Sequence, residues 1–136
     1  RLGDIGCLIE HHLCACGKPT PIIKITKGRI TDDILLEHKR KIPGVVFWYA
    51  IHKLNTKFND LIYQFRVEQL DLSHFILYLN LNKSFHEKKE MLISEFLFTI
   101  KPYELAGEDI IWEFKFIDEI QVDQTGKLSY FYRHKF

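Results

Sequence analysis

Apolar residues recur along this chain with two different periods. Phe47, Ala50, Ile51, Leu54 and Phe58 fall at helical spacing and leave His52, Lys53 and Lys57 outside the stripe. A first helix is therefore predicted, starting near Pro43, a residue tolerated in a first helical turn. Alternation replaces that period in Leu61–Leu70, where Leu61, Tyr63, Phe65 and Val67 share one face and Gln64, Arg66 and Glu68 the other. It continues in His74–Asn82, with Phe75, Leu77, Leu79 and Leu81 opposing Asn80 and Asn82. The join Asp71-Leu72-Ser73 is short enough for an antiparallel hairpin. Ser84 and Glu87 form a capping-box pattern ahead of a second helix carrying Leu92, Phe96 and Ile100 on one side. Pro102 and Gly107 end it, and Ile110–Ile117 reads as a last strand through Ile110, Trp112, Phe114 and Phe116.

The first part of the chain is turn-rich. Ile5, Cys7 and Ile9 alternate within Asp4–His12, which predicts a strand. Leu13–Thr20 reads as a loop broken by Gly17 and Pro19, and Pro21–Thr26 as a short strand. Lys27-Gly28 is expected to turn the chain, and Asp33–Glu37 to give another strand. After Asp118 the alternation stops; Thr125-Gly126-Lys127 falls in a loop, followed by a short basic tail. The order predicts an α+β sandwich: a largely antiparallel sheet with two helices on one face, after a short strand-rich N-terminal segment.

Composition narrows the classes. With 136 residues and 46% hydrophobic positions, the chain suits one domain with a core of its own, and general disorder is excluded. Nineteen Lys plus Arg against eighteen Asp plus Glu leave a net charge of +1. A global basic field for nucleic acid is absent, and no apolar run approaches a membrane span, so neither partner is expected. The chain opens on Arg1 without a charged-then-apolar leader and is expected to be the tail of a longer polypeptide. Three cysteines, all between Cys7 and Cys16, do not make a disulfide framework, and a reducing, cytoplasmic compartment is expected.

Several short constellations could carry chemistry. Cys14-Ala15-Cys16, just after His11 and His12, offers thiolates to zinc, or is simply a pair of small residues in a tight Gly-Lys-Pro loop. Gly3-Asp4 at a strand start is either a turn or a carboxylate placed to accept the vicinal hydroxyls of a ribose. Gly28-Arg29-Ile30-Thr31-Asp32-Asp33 is either a solvated turn or a phosphate- or carboxylate-holding arginine beside a backbone pivot at Asp32. Thr125-Gly126-Lys127 allows close backbone approach and a point charge on phosphate oxygens, without the flanking residues of a P-loop.

Taken in order, Leu2-Gly3-Asp4-Ile5-Gly6, Cys14-Ala15-Cys16-Gly17-Lys18, Gly28-Arg29-Ile30-Thr31-Asp32-Asp33 and Thr125-Gly126-Lys127 resemble the C-terminal domain of the adenylate-forming enzymes. Within them the chain is most similar to the phenylacetate–CoA ligase group and its capsule-biosynthesis relatives. The resemblance implies that residues 1–31 end a large-domain region, as a strand-rich lead-in and linker, and that residues 32–136 form a mobile C-terminal α+β domain. It implies a reaction in which a carboxylic acid and ATP, with Mg2+, give an acyl-adenylate and pyrophosphate, and the acyl group then passes to CoA.

By position, Asp4 would accept the ribose hydroxyls, Arg29 would steady the nucleotide, Asp32 would be the hinge and Lys127 the catalytic cation. Cys14 and Cys16 would be half of a Zn2+ site completed in the large domain. The partner implied is that N-terminal domain, without which this polypeptide should not turn over. The sequence departs from the group where an Asp-Gly or Arg-Gly turn follows the hinge: Glu37-His38-Lys39-Arg40-Lys41 stands there, with no glycine until Gly44. It also has one extra residue between Arg29 and Asp32, and Leu2 where Thr is typical. The competing class is a non-catalytic α+β binding module using the basic and aromatic end, Lys127, Tyr130, Phe131, Tyr132, Arg133, His134, Lys135 and Phe136.

Overall fold

A computed structural model describes residues 4–9, 22–29, 33–82, 88–121 and 129–136. The chain divides into two compact units, Arg1–Thr31 and Asp32–Phe136.

In the first unit, β1 (Asp4–Ile9) pairs antiparallel with β2 (Ile22–Arg29). Lys27-Gly28, expected to turn the chain, instead lies inside β2. The register explains how: Ile5 faces Lys27 and Asp4 faces Arg29, so Gly28 is taken up in an irregularity of the ladder. A glycine inside a strand often marks such a bulge, where an unpaired residue needs unusual backbone freedom.

The second unit holds the main core. β3 (Asp33–Leu35) and β4 (Lys41–Pro43) form a short antiparallel pair around a 3-10 turn at Glu37–Lys39. Then come α1 (Val45–Phe58), β5 (Ile62–Gln69), β6 (His74–Leu81), α2 (Lys89–Ile100), β7 (Ile111–Phe116) and β8 (Phe131–Arg133). The residues of the capping box, Ser84 and Glu87, lie outside the described residues.

The α+β class and the helical stripes agree with the pattern of the sequence. Val46, Phe47, Ala50, Ile51 and Leu54 are buried on α1, and Leu92, Phe96 and Ile100 on α2. Both helices cover one sheet face, because both reach the same aromatic layer. Phe47 lies 5.8 Å from Trp112 and 5.6 Å from Phe131, and Phe96 lies 5.2 Å from Trp112, ring centre to ring centre. Trp112 stacks on Phe75 at 4.9 Å, and its indole N–H donates to the Leu105 carbonyl at 2.7 Å. Each fully buried ring of this layer contributes about 1.5–3 kcal/mol.

The sheet order is β7-β6-β5-β8, and its pairings are mixed. β5 and β6 are antiparallel, but β7 runs parallel to β6 and β8 parallel to β5. A helix between β6 and β7 returns the chain in its original direction, which permits a parallel neighbour and not a hairpin. The basic tail is not a free end: Phe131–Arg133 completes the sheet as β8, with Phe131 buried. Tyr63, expected inward, is exposed. Ile62 faces Leu81 and Gln64 faces Asn80, so Tyr63 is the extra residue of a bulge. Upstream of the bulge Ile62 takes the inward place, and the face then resumes at Phe65 and Val67.

Candidate functional site

Two of the candidate residues of the sequence lie among the described residues. Asp4 and Arg29 are register partners at one end of the β1–β2 ladder, so two stretches far apart in sequence meet there. Cys14, Cys16, Asp32 and Lys127 lie outside the described residues. Among the described residues, no group of three or more His, Cys, Asp or Glu is placed to hold a metal ion. Cys14 and Cys16 could supply at most half of a four-ligand zinc set.

In the sequence, Lys127 lies in the segment between Gln121 and Ser129. The chain enters and leaves that segment at Gln121 and Ser129, and one guanidinium holds both. Arg66 Nη2 donates to the Gln121 carbonyl at 2.7 Å, and Arg66 Nε donates to the Ser129 carbonyl at 3.3 Å. Nearby, Gln64 Oε1 accepts from the Ile120 amide at 3.0 Å, and Asn80 Nδ2 donates to the Asp118 carbonyl at 2.7 Å. The polar positions of β5 and β6 thus fix the stems of the segment carrying Lys127. The alternation of these strands puts Gln64, Arg66 and Asn80 on the face away from the helices. A planar guanidinium suits the task, since its N–H groups diverge in a fixed fork.

A second feature lies within the Asp32–Phe136 unit. The turn after β3 places His38 at φ 56° and Lys39 at φ 59°, left-handed conformations that residues with a Cβ seldom adopt. Beside it opens a cleft of about 530 Å3. Its apolar lining is Leu36, Leu72, Ala106 and Ile110; its charged rim carries Arg40 and Lys101 against Glu37, Glu104 and Asp109. Arg40 pairs with Glu104, another left-handed residue at φ 58°, and so joins two tight turns. The β5–β6 turn enters the cleft through Leu72 and Ser73, and Asp71 shapes it. Asp71 Oδ1 accepts from the amides of Ser73 at 2.8 Å and His74 at 2.9 Å. The Ser73 amide bond, foremost, holds the Asp71 carboxyl below its ordinary range. The cleft therefore combines an apolar floor with a rim of mixed charge, in which Arg40 is paired with Glu104, a surface for a ligand with an apolar stem and a polar end.

A buried polar residue completes the inventory. Gln69 is fully buried, on the inward phase of β5 after Phe65 and Val67. Its amide meets both backbone groups of Leu35 in β3. The signal was present in the sequence as a lone polar side chain continuing an apolar alternation.

No family model matches this chain. No curated protein matches it either. Among solved structures it is similar to an open conformation of 2-hydroxyisobutyryl-CoA ligase in complex with 2-HIB-AMP and CoA. The identity is 15% and the TM-score 0.54, over 95% of this chain and 27% of that one. This chain shares its fold with a segment of a CoA ligase. The same ligase in the postadenylation state, in complex with R3-HIB-AMP, aligns at 13% identity and a TM-score of 0.49, over 98% of this chain and 28% of that one. At such identities the likeness is one of fold, and the chain spans 27% of the ligase's length.

Proposed function

We propose that this chain is the C-terminal part of an ATP-dependent carboxylate–AMP ligase of the phenylacetate–CoA ligase kind. The observation that carries the reading is a fold likeness to a CoA ligase across 95% of the chain. Four short motifs in the order of that group support it from the sequence. The reaction joins a carboxylate oxygen to the α-phosphorus of ATP, releases pyrophosphate, and then exchanges AMP for the thiol of CoA. Asp4 accepts the ribose hydroxyls, Arg29 steadies the nucleotide, Asp32 is the hinge, and Lys127 meets the carboxylate and α-phosphate. Mg2+ accompanies ATP, and Cys14 with Cys16 contributes half of a zinc site completed upstream. The substrate acid binds in the large domain.

The cleft beside His38 and Arg40 suits the second step. Its apolar floor matches a pantetheine-like stem, and Lys101 on its mixed-charge rim offers a cation to a phosphate. The left-handed backbone at His38 and Lys39 stands where the group carries a glycine-containing turn. Physical chemistry assigns Lys127 its role. Two anions must approach each other, and charge grows on the phosphoryl oxygens as pyrophosphate leaves, so a fixed cation lowers the barrier.

The binding-module alternative would use the basic and aromatic end. Three of those residues have internal employment: Phe131 is buried, Arg133 Nη1 donates to the Asp33 carbonyl at 2.7 Å, and His134 Nε2 lies 3.2 Å from Glu68 Oε2. That favours the ligase reading. The test is ATP–pyrophosphate exchange across a panel of carboxylic acids, comparing the 136-residue chain with a polypeptide that also carries an upstream adenylating domain. Exchange is expected only from the longer polypeptide. No exchange with any acid would overturn the ligase reading, and exchange by the short chain would overturn the division of labour.

A further inference from the structure

We infer that β7 (Ile111–Phe116) is a pairing edge for β7 of a second copy of this chain, joined antiparallel about a two-fold axis at Phe114. The sheet order ends at β7, which has β6 on one side. The Ile111 amide donates to the Ser73 carbonyl at 2.8 Å, and the Ile117 amide to the Leu79 carbonyl at 2.9 Å. Backbone groups alternate sides along a strand, so Ile111, Glu113, Lys115 and Ile117 turn theirs toward β6. Trp112, Phe114 and Phe116 turn theirs outward, and no described residue pairs with them there. Natural edges are commonly blunted by a proline, a bulge or an inward-pointing charge. Here the register with β6 is regular, and the residues on the helix side are Trp112, Phe114 and Phe116. These three rings pack against the core yet stay half-buried. The opposite edge, β8, is three residues long and offers no comparable ladder.

The side chains select the occupant and the register. An antiparallel strand must match outward groups to outward groups, so a second copy can centre on Trp112, Phe114 or Phe116. Centring on Phe116 or Trp112 leaves most of each strand beyond the end of the other; centring on Phe114 overlaps them along their length. Phe114 then meets Phe114 of the second copy, and Trp112 meets its Phe116, each pair exchanging backbone hydrogen bonds. Glu113 lies opposite Lys115 of the second copy, and Lys115 opposite its Glu113, at the closely spaced positions where cross-strand side chains interact most. Ile111, also exposed, falls opposite Ile117 of the second copy. Glu113 has an oxygen for this contact: Oε1 is 2.7 Å from His74 Nε2, while Oε2 lies 3.8 Å from Lys115 Nζ of its own strand. The strand is thus complementary in charge to its own antiparallel copy. Two four-stranded sheets become one, with the helices of both copies on the same face. The pairing does not rest on the ligase reading.

Sedimentation of the 136-residue chain, with amide hydrogen exchange, tests the pairing. A reversible doubling of mass is expected as the concentration rises to about 1 mM. The amides of Trp112, Phe114 and Phe116 are expected to exchange about tenfold more slowly at the highest concentration, and that of Leu77 to change less. Glu113→Lys sets like charges opposite each other at both pairs; Lys115→Glu does the same and leaves the His74 contact in place. Each variant alone is expected to dimerise about tenfold more weakly than the wild-type chain. An equal mixture of the two should restore association, because every lysine then faces a carboxylate. A monomer at every concentration, an open-ended assembly, or a dimer whose Trp112, Phe114 and Phe116 amides stay unprotected would overturn the pairing. So would single variants that dimerise as well as the wild-type chain, or a mixture no stronger than its components. Should a variant not fold, concentration-dependent protection in the wild-type chain decides alone.

Discussion

Asn55 meets both backbone polar groups of Ile62: its Oδ1 accepts from the Ile62 amide at 2.8 Å, and its Nδ2 donates to the Ile62 carbonyl at 2.9 Å. The arrangement repeats what Gln69 does at Leu35, and it joins the end of α1 to the start of β5. Between them Asn59 and Asp60 both take left-handed backbone, at φ 56° and φ 53°, and the Asp60 amide donates to the Asn55 carbonyl at 2.9 Å. Asn55→Leu keeps the branched shape and removes both bonds. It is expected to destabilise the chain by about 1–3 kcal/mol, read as a lower urea midpoint with an unchanged m-value. Asn55→Asp should cost at least as much, because a carboxylate would then face the Ile62 carbonyl where the amide donated.

The turn at His38 and Lys39 carries backbone strain in consecutive residues. Left-handed conformation costs a residue with a Cβ roughly 1–2 kcal/mol, which glycine avoids, although glycine loses more freedom on folding. Lys39→Gly is therefore expected to stabilise the chain by about 0.5–1 kcal/mol and raise its thermal midpoint. Lys39→Val is expected to lower it, since β-branching makes the same backbone still less accessible. If neither substitution moves the midpoint, the turn is not held in this conformation in solution.

Asp71 gives the fold a pH dependence with a defined sign. Amide and hydroxyl donors from Ser73, with His74, favour the carboxylate and lower its pKa from 3.8, against a smaller opposing effect of desolvation. The folded pKa lies below the unfolded one, so the stabilisation is fully present above the unfolded value and is lost as pH falls through the folded value. Asp71→Asn removes the titration and keeps an acceptor oxygen. The wild-type chain is expected to be the more stable at neutral pH, with the difference constant down to about pH 5 and shrinking below about pH 4. A difference that grows on acidification would contradict the assignment.

These relationships divide by how far each was legible in the sequence. The helical stripe from Phe47 to Leu54 and the alternation of Phe75, Leu77 and Leu79 were readable, because burial of one face is a local periodic property. Tyr63 was misplaced because a bulge inserts a residue without altering the composition around it. β8 was missed because three residues beside β5 are too few to show a period, and Phe131 is buried by what it packs against. The parallel pairings follow from crossovers, which alternation does not encode. Among site residues, the opposition of Asp4 and Arg29 needed the strand register. Arg66 looked like any solvent-face arginine until the backbone it bridges, at Gln121 and Ser129, was in place.

Arg66 also supplies the control for the last prediction, which concerns Lys127. On the ligase reading, the Lys127 ammonium neutralises charge that develops at the α-phosphoryl oxygens as the carboxylate displaces pyrophosphate in adenylation. Loss of one such contact typically costs about 2.7–4 kcal/mol, a hundredfold or more in rate. In a polypeptide carrying the upstream domain, Lys127→Ala should therefore lower adenylation by about that factor. Thioester formation from preformed acyl-adenylate should fall far less, because that step breaks a C–O bond at the acyl carbon and forms no bond at phosphorus. The unfolding midpoint should not move. Arg66→Met acts differently: it releases the backbone at Gln121 and Ser129 and leaves the ammonium in place, so it should lower adenylation by about tenfold and also lower the midpoint. The comparison separates chemistry from support. If Lys127→Ala impaired both steps equally, or moved the midpoint as Arg66→Met does, the lysine would be a structural residue and the proposed catalytic role would fall.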